Sequence, residues 1–131
     1  NRKLGMALVA LAGPASNLLL ALICYIITLL LGYKMAGDAM FFRTITMFFS
    51  YIASLSVGLG VFNLIPIPPL DGSRVLNAFV PYSVQVKLER YQSVILLAVI
   101  FVVYFGLFDF VIMGVERWMI GLVMKLVVPF L

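Results

Sequence analysis

Residues 4–33 read LGMALVALAGPASNLLLALICYIITLLLGY, thirty positions without one charged side chain. As a helix rising 1.5 Å per residue this stretch would be about 45 Å long, more than the ~30 Å that a hydrocarbon core requires. Gly13-Pro14 interrupts it. Proline lacks a backbone N–H and its ring crowds the preceding turn, so the sequence predicts either a kink or a helix that restarts with Pro14 in its first turn. Pro14 to Gly32 alone is long enough to span. Ala7, Ala10, Ala12, Gly13, Ala15 and Ser16 are small enough to let another helix approach closely. A first span over about residues 6–32 follows.

The rest of the composition agrees. Hydrophobic residues make up 65% of the 131 positions and charged residues 11%, with a mean hydropathy of +1.21. Soluble domains carry roughly 25% charged residues, so this supply cannot build a water-facing surface. The fold class expected is an all-α integral membrane protein, a single membrane-embedded domain over residues 1–131. The net charge of +4 is too thinly spread for a nucleic-acid footprint, so no nucleic-acid partner is expected. Cys24, the single cysteine, lies in an apolar run and has no internal disulfide partner. Arg2-Lys3 before an apolar stretch resembles a signal peptide, but the stretch is too long for one and more spans follow. Because the first residue is Asn1 rather than Met, the chain reads as a fragment with an N-terminal portion missing.

Further along, Lys34 to Arg43 is a short polar loop with Gly37-Asp38 as its turn signal. A second charge-free stretch begins at Thr44 and gives a span over about 44–62. Ser83 to Phe108 reads as one long helix whose spanning part, about 91–108, begins at Tyr91. Residues 110–131 form either a fourth span or a helix lying in the interface, with Gly114, Arg117, Gly121 and Lys125 on one stripe. The expected bundle thus has three to four transmembrane helices. If the spans alternate, Arg2, Lys3, Arg74, Lys87 and Arg90 share one side, while Lys34 and Arg43 take the other. That excess places the N-terminus and residues 63–71 toward the cytoplasm.

After the second span comes Asn63-Leu64-Ile65-Pro66-Ile67-Pro68-Pro69-Leu70-Asp71-Gly72-Ser73-Arg74. Three prolines in four positions (Pro66, Pro68, Pro69) forbid a continuing helix and a sheet ladder alike. Irregular chain at membrane depth must be buried in protein or line a wet cavity. The prolines hold it extended and leave its carbonyls and the Asn63 amide free to bind. Asp71 puts a carboxylate beside apolar sequence, suited to metal ligation, proton relay or a cationic partner. The same residues also fit a plainer arrangement, in which Asp71 caps a short helix ending near Pro81 and the prolines form a surface turn.

As a whole, residues 63–72 resemble the N-x-x-P-x-x-P-L-D-G signature of the site-2 proteases, the intramembrane zinc metalloproteases. Ala12-Gly13-Pro14-Ala15-Ser16-Asn17 resembles the A-G-P-x-x-N motif of the preceding core helix in their compact bacterial branch. The resemblance implies a zinc endopeptidase core in a bacterial plasma membrane, with transmembrane proteins as substrates and lipid as surroundings. It implies Asp71 as the third Zn2+ ligand beside two histidines of an H-E-x-x-H helix, whose glutamate is the general base on a zinc-bound water. Asn63 matches a residue contacting substrate backbone or oxyanion. Pro66, Pro68 and Pro69 would position unwound substrate, and Gly13, Pro14, Asn17 and Gly72 would be structural. The chain departs from the pattern in having no histidine. The H-E-x-x-H helix is therefore expected upstream, and the chain alone is expected to be inactive. Two alternatives remain: a fragment of an ion or solute transporter with a carboxylate at membrane depth, and an inactive membrane scaffold of the same fold.

Overall fold

The computed structural model describes residues 2–34 and 40–130, the side chains of 2–4 and 34 excepted. The described residues form helices and turns, with no strand. The expected turn at Gly37-Asp38 lies outside the described residues. In order, the helices are α1 (Arg2–Lys34), α2 (Met40–Asn63), α3 (Asp71–Phe79), α4 (Tyr82–Arg90), α5 (Gln92–Tyr104) and α6 (Asp109–Val127). Arg43, expected in a loop, lies inside α2, whose first turn extends the apolar run of the second span with Met40, Phe41 and Phe42.

Two helices are each long and apolar enough to cross a bilayer, over Gly5–Tyr33 and Met40–Asn63. A third crossing is available if α5 and the helix that follows it, bent by 67°, count as one broken span. The exposed Leu, Val and Phe residues along these helices make an apolar surface of the kind that faces lipid or neighbouring helices. Pro14 neither ends nor restarts α1, which runs through it. The proline is fully buried, and its carbonyl oxygen faces Gly60 of α2.

The core sits where α1 and α2 cross. Ala21, Cys24, Tyr25, Ala53, Val57 and Val61 pack there, with Met119 and Val123 of α6 closing the cluster. Lipid tails are as apolar as leucine, so close packing of small residues holds such helices together. Gly60 shows how close: a Cβ on it would lie 3.1 Å from the Leu18 side chain and 3.4 Å from the Pro14 carbonyl oxygen.

The helix expected as continuous from Ser83 to Phe108 is divided at Tyr91 and stops at Tyr104. The first break coincides with the change from charged (Lys87, Glu89, Arg90) to charge-free sequence. The second has a definite cause in Gly106, whose φ of +70° is left-handed backbone that suits glycine. Its N–H reaches the Val103 carbonyl at 3.0 Å and that of Leu107 reaches Val102 at 3.1 Å, the paired bonds of a Schellman stop. The α6 stripe of Gly114, Arg117, Gly121 and Lys125 is exposed. The packed face is instead Ile112, Val115, Met119 and Val123. Beside it Glu116 accepts a hydrogen bond from Ser54 Oγ of α2 at 2.5 Å and interacts with the Tyr25 phenol of α1. One carboxylate therefore joins three helices.

Candidate metal centre

Chain leaving α2 turns at once. Leu64 N–H bonds the carbonyls of Gly60 and Val61, and Ile65 N–H bonds that of Phe62. Between Asn63 and Asp71 the prolines then supply no donors, and the remaining N–H groups turn inward: Ile67 to Ile65, Leu70 to Ile67. The expectation of free carbonyls is thus corrected for Ile65, Ile67 and Leu70, which are occupied locally. Leu70 also accepts from both the backbone and the hydroxyl of Ser73, at 3.0 and 2.7 Å. Pro68 is buried while Pro66 and Pro69 are exposed, and the Pro68–Pro69 bond is cis.

Gly72 locks this segment against α3. It is buried, and a Cβ on it would fall 2.5 Å from the Leu64 carbonyl oxygen and closer still to that of Ile65. Only a residue without a side chain permits that approach.

Asp71 is the first residue of α3, and the capping position is Leu70, which makes no side-chain capping bond. The expected alternative, Asp71 as helix cap, is corrected accordingly: its carboxylate does not close the helix. It lies instead over α1. A Cβ on Gly13 would come 2.9 Å from Asp71 Oδ2 and 3.8 Å from Cγ. The A-G-P motif of α1 and the L-D-G motif of α3 therefore meet at one point, the carboxylate resting in the gap that Gly13 leaves. Among the described residues no hydrogen bond or ion pair engages the Asp71 side chain. A half-buried carboxylate without a partner is available for a cation.

The other expected residues lie around this point. Asn63, half-buried, ends α2 at the opposite end of the broken segment from Asp71. Asn17 is half-buried one turn beyond Gly13, on the α1 helix whose Pro14 carbonyl faces Gly60. Neither asparagine side chain makes a hydrogen bond among the described residues. Sequence reasoning missed the Glu116–Ser54–Tyr25 junction. The spacing of Ile112, Val115, Met119 and Val123 was the signal that would have turned Glu116 inward.

A catalytic zinc ion takes three protein ligands and one open position. Among the described residues no group of three or more His, Cys, Asp or Glu comes together. Asp71 could hold one corner of such a site, and the described residues do not complete it.

An α-helical membrane protein with a proline-broken segment delivering a lone carboxylate is the class that fold and site define. Comparison with known proteins is specific. The model of Peptidase family M50 matches residues 29–107, more than half of the chain, and the chain belongs to this family, the site-2 proteases. It is 40% identical over 92 residues to a Bacillus subtilis (strain 168) protein named "Putative zinc metalloprotease YwhC". That match covers 70% of this chain and 42% of the relative, so the chain spans well under half the relative's length. No solved structure matches it.

Proposed function

We propose that the chain is the part of an intramembrane zinc metalloendopeptidase that supplies the aspartate ligand and the substrate-positioning segment. The observation that carries this reading is the unpartnered Asp71 carboxylate, held over Gly13 where two helices meet. Family membership and the printed name of the Bacillus relative support the metal and the chemistry. Bound zinc would lower the pKa of its water toward neutrality. The chain's own residues do the rest of what it contributes. Asp71 holds one corner of the site, Gly13 leaves room for it, and Gly72 fixes its distance from the broken segment. Asn63 and the Pro66–Pro69 stretch receive an unwound piece of a transmembrane substrate. With one ligand, the chain by itself cuts nothing. The histidine ligands come from outside it.

In membranes holding the full-length gene product, a single-span reporter should be cleaved. Zinc chelation should reduce cleavage to background, and added Zn2+ should restore it. Cleavage indifferent to chelation would refute the metal. No cleavage at all, with the fold intact, would favour the scaffold reading that the lack of histidine in the chain invites.

The site is proposed to face the cytoplasm of a bacterial cell, on the charge asymmetry described above and the bacterial relative. In a Cys24→Ala background, an impermeant thiol reagent outside intact cells should label Lys34→Cys and spare Lys87→Cys. The reverse pattern would invert the topology.

A further inference from the structure

We infer that the furrow between the N-terminal half of α1 and α3 is a groove for extended peptide backbone, a subsite flanking the cleaved bond. The inference rests on the protease reading. The furrow is a cleft of about 750 Å³, lined by Gly5, Met6 and Val9 of α1, Arg74 and Asn77 of α3 and Gln85 of α4. Gly13 meets Asp71 while Gly5 and Met6 lie with Asn77, so α1 and α3 run in opposite directions and the furrow leads away from Asp71. Six residues of helix separate Asp71 from Asn77, about 9 Å, the length of roughly three residues of extended chain.

Its polar groups select the occupant. Arg74 presents guanidinium donors and makes no ion pair among the described residues. Asn77 Oδ1 has no hydrogen-bond partner and is sealed from solvent, so it meets a ligand donor by a turn of its side chain into the furrow. Gln85 is pinned beside it, its amide donating to the Asn77 and Val80 carbonyls at 2.9 and 3.0 Å. Extended peptide offers both a carbonyl for Arg74 and an N–H for Asn77. A lipid phosphodiester offers acceptors alone, so a phospholipid would serve Asn77 only through a head-group hydroxyl or ammonium, a source that the photoreactive lipid below tests. Met6, Val9 and Ala78 give the groove an apolar floor for a substrate side chain.

The test uses the full-length gene product in membranes, with a single-span peptide substrate carrying one cysteine walked along its length. In a Cys24→Ala, Asp71→Ala background, mild oxidation should join Ala78→Cys to substrate positions about three residues from the cleaved bond. Leu126→Cys, on an exposed face of α6, sets the background. With Asp71 intact, Arg74→Gln should raise KM about tenfold and change kcat less than about twofold, as loss of a charged hydrogen bond to bound substrate does. Cross-linking no stronger than at Leu126→Cys, an unchanged KM, or capture only of a photoreactive phosphatidylglycerol would each overturn the groove. The two readings fail separately. If the wild type cleaves and Ala78→Cys captures no peptide, the groove is wrong and the protease stands. If Ala78→Cys captures peptide that the wild type never cleaves, the groove stands and the protease reading is wrong.

Discussion

Replacing Asp71 by alanine in the full-length gene product should abolish proteolysis and weaken zinc retention by roughly 100-fold or more, since even groups outside the ligand shell cost 10–100-fold. Asp71→Asn is the sharper variant. Asparagine keeps the size of the side chain and caps helices about as well as aspartate, but it is neutral and a poorer ligand. Leu70, not Asp71, occupies the capping position, so little stability hangs on the carboxylate. Removing its charge from the first turn of α3 forfeits about 0.3–1 kcal/mol of helix-dipole interaction. The expected result is therefore a folded, inserted protein with nearly all activity gone in both variants. Metal content and reporter cleavage measured together decide it. An Asn variant that keeps both would remove Asp71 from the site. Gly13→Ala reaches the same carboxylate from below, with a Cβ only 2.9 Å from Oδ2. It should lower cleavage about tenfold, in keeping with the cost of small misplacements at a reacting centre. Stability should scarcely fall, because alanine favours a helix over glycine by about 1 kcal/mol.

Gly72→Ala should be the most destabilising methyl added at any of the described glycines. The new Cβ would meet the Leu64 and Ile65 carbonyl oxygens and lie 2.7 Å from the Ile65 carbonyl carbon. All three are backbone atoms, with no side-chain rotamer to relieve the clash. Either α3 or the broken segment must move, at an expected cost of about 3 kcal/mol or more. Thermal unfolding in detergent should show it as a marked fall in Tm. Gly58→Ala is the matched control, since a Cβ there meets nothing within 4 Å. Equal melting of the two variants would mean that α3 does not seat on the broken segment as described.

Charge-free runs and prolines made α1, α2 and the break between Asn63 and Asp71 legible, because exclusion of charge and loss of backbone donors are local properties. Gly106 was in plain sight as a possible stop, but the helix was read through it to Phe108 on the apolar run. The junction at Glu116 was missed for a different reason. Gly114, Arg117, Gly121 and Lys125 marked out one stripe of α6, whereas the small residues of α1 and α2 decide which face packs. The meeting of Gly13 and Asp71 could not be read at all. Fifty-eight positions separate them, and only the seating of α3 along α1 brings them together.

The junction at Glu116 also bears on how the protein is made. Helix α6 carries Asp109, Glu116, Arg117 and Lys125. Charged residues such as Asp, Arg and Lys each cost about 2.5–3.5 kcal/mol at the centre of a lone helix entering a membrane. Unaided, α6 is a poor client for insertion. Helices α1 and α2, which leave the ribosome earlier, contain the Tyr25 and Ser54 hydroxyls that receive Glu116. They also bring the small-residue surface that receives Met119 and Val123. The α1–α2 pair is thus the template on which α6 docks, and for these three helices the order of synthesis is also the order of assembly.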